Sequence, residues 1–210
     1  LKPQTGHSTF IRIFLMIYKD FVYQKIIKIV LILSLSLLAS CANRGPLPFS
    51  FDFLKKSADE DISNSSNVIL MYSGQSISKA QTIGGGNTTQ PEVWNREHIY
   101  PQSMINSPAD ADLHHLRACD GNINGDRGNK AFAAGSGSYT SLSATTWYPG
   151  DEWKGDVARM IMYVYVRYNE PWSDVGSLSL FLQWNVEDPV SDLERQRNNI
   201  INGAQGNRNP

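Results

Sequence analysis

The segment Trp94-Asn95-Arg96-Glu97-His98-Ile99-Tyr100-Pro101-Gln102-Ser103 constrains this chain more than any other. Proline removes a ladder donor, so Pro101 ends any strand that carries Glu97 and His98. On that strand the two side chains point to opposite faces and can do different work. Asp112-Leu113-His114-His115-Leu116-Arg117 and Gly125-Asp126-Arg127-Gly128-Asn129-Lys130 follow at short intervals. Leu113 to Leu116 reads as a second strand, Asp120 to Asn124 as a loop, and Gly125 to Phe132 as a helix carrying Asn129. The order strand, loop, strand, helix would bring Asn129 back to Glu97.

Those residue types suit phosphodiester hydrolysis. A carboxylate at Glu97 fits a hard cation such as Mg²⁺, which prefers oxygen ligands. A neutral imidazole at His98 can take a proton from water near neutral pH. A cation on one side of a phosphodiester and a base on the other make a minimal hydrolytic site. Asn129 would add a neutral oxygen ligand. Each residue also has a plainer reading: a buried histidine, a surface ion pair of Glu97 with Arg96 or Arg117, a turn asparagine. His114 and His115 would face opposite sides of a strand, and a tetrahedral zinc site needs three or four convergent ligands. One of them is expected to be structural, supporting His98 or the second strand.

Taken in order, the three motifs resemble the signature of the bacterial endonuclease I family, secreted or periplasmic nucleases with a ββα-metal (His-Me finger) site. The resemblance continues through Gly155-Asp156-Val157-Ala158-Arg159, Asp188-Pro189-Val190-Ser191-Asp192, Arg195-Gln196-Arg197-Asn198 and Gln205-Gly206-Asn207-Arg208-Asn209-Pro210, from Val68 onward. It implies an α+β fold, a ββα-metal core with additional C-terminal helices. It implies a largely sequence-non-specific endonuclease that hydrolyses DNA, with RNA left open as a second substrate, to 5′-phosphate products using Mg²⁺, or Ca²⁺ or Mn²⁺. His98 would be the base, Arg127 a catalytic contact to phosphate, and Glu97 and Asn129 the metal ligands. Arg96, Arg117, Lys130, Arg195, Arg197 and Arg208 would contact nucleic acid. Two departures stand out: Ala118 replaces a proline common in relatives, and only Gln102 to Ala111 lies between the strands where some relatives carry a longer insertion with a further arginine. The group that stabilises the leaving oxygen or product phosphate is therefore unidentified. Two other classes stay open: a non-catalytic surface lipoprotein that binds nucleic acid or a glycan, and a metal-dependent phosphatase or esterase.

At 210 residues the chain is of one-domain length with enough apolar content for a sizeable core. Residues 1–40 hold five Lys/Arg and one Asp, which leaves 14 basic and 19 acidic residues beyond them, a net of −5. A global basic field is absent, so nucleic-acid binding must rest on a local patch. Lys25-Ile26-Ile27-Lys28, an apolar run to Leu38, and Leu38-Ala39-Ser40-Cys41 read as a signal peptide ending in a lipobox over residues 1–41, with an uncleaved helical anchor as the alternative and the residues before Met16 open to reading as upstream sequence. The run is too short for a comfortable membrane span. Cys41 would carry a lipid as the sole link to a membrane, and the mature protein would be an outer-membrane, periplasmic or secreted monomer. Residues 42–67 read as a flexible tether, and 68–210 as the nuclease domain opening with a strand at Val68–Tyr72. Gly84 to Asn87 lacks the Lys-Ser/Thr of a phosphate cradle and reads as a loop. Cys119 reads as a free thiol. Gly135 to Gly150 reads as loop, Trp153 to Asn169 as an amphipathic helix, Leu178 to Asn185 as a second, and a third follows a capping box at Ser191-Asp192-Leu193-Glu194. The sequence stops at Asn207-Arg208-Asn209-Pro210, where relatives are expected to continue for a few residues.

Overall fold

In the computed structural model, residues 57–81 and 94–210 are described, so the expected leader, Cys41 and the Gly84–Asn87 loop lie outside the described residues. Within the expected tether, residues 60–61 and 64–67 are strand. Strand β1 (Glu60–Asp61) and β2 (Asn64–Ile69) pair antiparallel, and β2 pairs on its other side with β3 (Ser76–Ser78). Ala58 and Asp59 are fully buried. The polar run that looked like linker instead has its polar residues on an exposed strand end and one charge in the interior.

After β2 the chain turns sharply. Tyr72 has φ of 70°, and Ser73 N–H donates to Met71 C=O at 2.9 Å. A hydrogen bond between residues two apart around a positive φ is a strained γ-turn, rare for a bulky side chain. Gly74, at φ of 68°, completes the turn with its N–H on Leu70 C=O.

Strand β4 (Trp94–His98) pairs antiparallel with β5 (Leu116–Asp120), placing Glu97 opposite Arg117 and His98 opposite Leu116. The second strand thus begins where it was expected to end. Asp112 is the cause: its carboxylate accepts from His114 N–H, and Leu113–His115 form a 3₁₀ turn that the Leu116 N–H closes on Leu113 C=O. A side-chain bond to nearby backbone competes here with the sheet ladder. Asp120 acts similarly one step later, capping Asn122 and Ile123 N–H groups so that helix α1 (Gly121–Arg127) starts where a loop was expected. Gly128, at φ of 50°, ends α1, so Asn129 lies just beyond the helix rather than on it.

Strands β6 (Ala131–Phe132), β7 (Thr140–Ser141) and β8 (Thr146–Tyr148) form a third small sheet in the order β6-β8-β7. Part of the expected loop is therefore strand, and its Trp147 and Tyr148 are buried. Three helices follow: α2 (Lys154–Tyr168), α3 (Leu178–Glu187) and α4 (Asp192–Gln205). Val157, Ile161 and Val164 of α2 pack in the main core with Trp147, Phe181 and Trp184. Burial of side chains of this size contributes ~1.5–3 kcal/mol each. The capping box at α4 forms, with Ser191 and Glu194 each accepting from the other's backbone N–H. The result is an α+β fold of small sheets and, among the described residues, four α-helices, none long and apolar enough to cross a membrane.

Behind β5 runs a chain of buried charges. Arg117 donates to Asp59 at 2.8 Å and to Asp156 at 3.0 Å, Arg159 bonds Glu194 at 2.6 Å, and Arg197 pairs with Asp59. Asp59 also accepts from Ala118 N–H at 2.7 Å. These contacts tie the segment before β1 to β5, α2 and α4, and fix the hairpin that carries the site.

Candidate active site

Glu97 is almost fully buried, yet it is among the residues lining an open cleft of about 430 Å³ between β4, α1 and the Pro101–Ser103 segment. Its Oε1 accepts from the Tyr72 hydroxyl at 2.8 Å and lies 3.3 Å from Arg127 Nη1. Burial raises the Glu97 pKa above the usual carboxylate range, and Arg127 and the Tyr72 hydroxyl oppose that shift. The strained turn at Tyr72 therefore has a structural consequence: it delivers a hydroxyl to a buried carboxylate, in keeping with the clustering of backbone strain at functional sites. Sequence reading missed Tyr72 because its only signal was position in an apolar run.

Arg127 does not reach into the cleft as a free fork. It is buried, donating to His98 C=O at 2.9 Å and to Ile99 C=O at 2.6 Å, with its guanidinium 4.8 Å from the Phe132 ring centroid. It clamps the end of β4 and offsets the Glu97 charge, so the expected direct contact with phosphate is corrected to a positioning role.

His98 lines the same cleft although it leaves the opposite face of the strand from Glu97. Its Nε2 lies 3.1 Å from Asp110 C=O. A carbonyl only accepts, so Nε2 carries the proton and Nδ1 is the basic nitrogen of the neutral ring. Burial, reinforced by His115 and Arg96, pushes the imidazole pKa down to about 3. His115 packs beside it, ring centroids 5.7 Å apart, and holds Ala109 C=O at 2.6 Å. His114 turns instead to Tyr163 and Asn207 C=O. Both histidines are buried, in a 3₁₀ turn rather than a strand, and one of them backs His98 as expected.

Asn129 is exposed at the cleft, its Nδ2 donating to Ser103 Oγ at 2.9 Å, which leaves Oδ1 as its available oxygen. Among the described residues no three His, Cys, Asp or Glu side chains converge as a metal cluster. Glu97 and Asn129 are a sparse, all-oxygen donor pair, fitting a hard cation that keeps most of its waters and unlike a zinc site. Arg96 is half-buried in the cleft. Lys130 is paired with Asp126 at 3.0 Å.

Two expected nucleic-acid contacts are corrected. Arg117 and Arg197 are buried in the ion network behind β5, where they hold Asp59. Their partner could not be picked from a Ser- and Asp-rich run. Arg195 and Arg208 are exposed, on Asp192 and Asn199, and do not line the cleft.

The model of the family described as Endonuclease I matches residues 47–210. The chain belongs to the endonuclease I family. The match starts ahead of β1, consistent with the buried Asp59. Similar curated proteins carry nuclease names. The extracellular ribonuclease of Bacillus subtilis (strain 168) is 39% identical over 181 residues, 74% of this chain and 61% of that protein. The extracellular ribonuclease of Bacillus amyloliquefaciens has the same identity and coverage. Endonuclease-1 of Buchnera aphidicola subsp. Baizongia pistaciae (strain Bp) is 33% identical over 112 residues, 48% of this chain and 45% of that protein. The matched region thus spans about 61% of the length of the two ribonucleases. For an endonuclease I member, the cleft holding Glu97, His98 and Asn129 is the place to look for chemistry.

Proposed function

We propose that this protein is an exported, metal-dependent nuclease that hydrolyses phosphodiester bonds of RNA and DNA with little sequence preference, leaving 5′-phosphates. The observation that carries the reading is a neutral imidazole with a defined tautomer in the same cleft as a buried, hydrogen-bonded carboxylate. His98 Nδ1 takes the proton of a water as that water attacks phosphorus in line, and the P–O3′ bond breaks. Asp110 C=O and His115 keep the ring oriented through this transfer. Glu97 and Asn129 would hold Mg²⁺, with Ca²⁺ or Mn²⁺ as alternatives, which when bound would neutralise the phosphate and the departing oxygen. Tyr72 and Arg127 fix Glu97 Oε1, which leaves Oε2 as the oxygen that would hold a cation. On this reading β4, β5 and α1 are the ββα-metal core.

Both substrates are included because family relatives bear both ribonuclease and endonuclease names. Export is supported by the basic and apolar leader before Cys41, with Cys41 as the lipid-bearing residue. Incubation with labelled RNA and DNA, in Mg²⁺, Mn²⁺, Ca²⁺ and EDTA, tests the reading. Metal-dependent shortening of either polymer with 5′-phosphate ends is the expected result. Retardation without shortening by folded protein would indicate a binding module, and hydrolysis of small phosphate esters alone would indicate a phosphatase.

A further inference from the structure

Every described arginine and lysine except Arg96 has a side-chain or backbone partner. Arg117, Arg127, Arg159 and Arg197 are consumed internally, and the others pair at the surface. Among the described residues Arg96 alone is an unpaired cation, and it is half-buried in the cleft rather than out in solvent. Strand alternation puts it on the same face of β4 as His98, two residues away, with Glu97 on the other face. Asn124 donates to the Arg96 carbonyl at 3.1 Å, holding the backbone there against α1. A guanidinium in a partly desolvated cleft calls for an anion with two adjacent oxygens, and the non-bridging oxygens of a phosphate answer its fork with two parallel hydrogen bonds.

We propose that Arg96 is the phosphate-binding residue of this cleft, gripping the phosphate beside His98 and supplying the cationic contact that the short Gln102–Ala111 connection does not carry. The inference rests on the nuclease reading for the identity of the phosphate, a nucleic-acid phosphodiester, and deepens it in one respect. With a net charge of −5 beyond residue 40 and, among the described residues, one unpaired cation at the cleft, the chain engages its substrate through a short footprint. Its affinity then depends only weakly on salt, since each phosphate contact on a single strand contributes about 0.7 to the slope of log K against log salt.

The test is equilibrium binding of a short 5′-phosphorylated single-stranded oligonucleotide in Mg²⁺ across a salt series. It uses the full chain in a His98→Ala background so that the ligand survives. Arg96→Met is expected to weaken binding about tenfold or more at low salt and to reduce the salt slope by roughly 0.7. Arg96→Lys is expected to keep the slope while binding less tightly, because the charge stays and the fork is lost. Melting curves matching the parent confirm that the variants fold. Unchanged affinity and slope in Arg96→Met would overturn the proposal. Hydrolysis by the wild-type chain, measured in parallel, separates the two readings. Arg96-dependent binding without any hydrolysis keeps the phosphate subsite and retires the nuclease; hydrolysis with Arg96-independent binding retires the subsite alone.

Discussion

The two sides of the β4–β5 hairpin use the same side chains to opposite ends. Behind it, Asp59, Arg117, Asp156 and Arg197 neutralise one another in the interior, with Arg159 and the half-buried Glu194 extending the network outward. In front, Glu97 has one cationic neighbour, His98 is neutral, and Arg96 has no ion-pair partner among the described residues. The rear network holds shape, and its charges are met by one another away from the cleft. The cleft keeps one basic nitrogen, one carboxylate oxygen and one guanidinium available. An arginine in a motif therefore means nothing by itself; what matters is whether a carboxylate elsewhere in the chain has already claimed it.

Breaking the rear network should give the largest effect. Arg117→Met removes the cation shared by Asp59 and Asp156, leaving Asp59 to Arg197 and Asp156 to Arg159 at 3.8 Å, and removal of one buried partner costs ~3–5 kcal/mol. That is a large part of the ~5–15 kcal/mol available to a domain. A strongly lowered melting temperature is expected, and a midpoint within a degree or two of wild type would mean that the network is not cooperative.

On the cleft side, Tyr72→Phe removes only the hydroxyl donated to Glu97. Groups that orient a metal ligand are typically worth 10–100-fold in affinity. Calorimetric titration with Mg²⁺ should show a loss in that range with the melting temperature little changed; equal affinity would assign Tyr72 to packing alone. Arg195, exposed on Asp192, supplies the contrast. Arg195→Ala is expected to change stability by no more than ~0.5 kcal/mol and to leave oligonucleotide binding where it was, whereas any clear loss would extend the nucleic-acid surface onto α4.

The smallest change expected is none at all. The His98 pKa is pushed down to about 3, so its ring signals followed by NMR should show no protonation step near the ordinary value of about 6.5. The sign for stability follows from linkage. The unfolded chain takes up the His98 proton first, so the contribution of this residue is fully present above about pH 6.5 and declines as pH falls toward the folded value. A titration centred near 6.5 in the folded protein would place the ring in solvent and remove the basis for its assignment as a pre-formed neutral base.

Much of this was legible in the sequence, and the failures have causes. The adjacent Glu97 and His98, the return of Asn129 and the helices after Trp153 could be read because motif order and apolar spacing survive folding. Element boundaries shifted where aspartates captured nearby N–H groups: Asp112 delayed β5 and Asp120 advanced α1. Asp59 was illegible because a buried acid in a polar run looks like linker until its two arginines, far along the chain, arrive beside it. Tyr72 was illegible because its role depends on one positive φ.

The central claim is a division of labour between neighbours on one strand, His98 for the proton and Glu97 for the cation. The most direct test measures Mg²⁺ affinity and hydrolysis together in His98→Ala and Glu97→Gln, with folding checked by circular dichroism. His98→Ala should bind Mg²⁺ as the wild type does while hydrolysis falls by ~10²–10⁴-fold, and Glu97→Gln should lose both. Equal loss of metal in the two variants, or full hydrolysis by His98→Ala, would contradict the account.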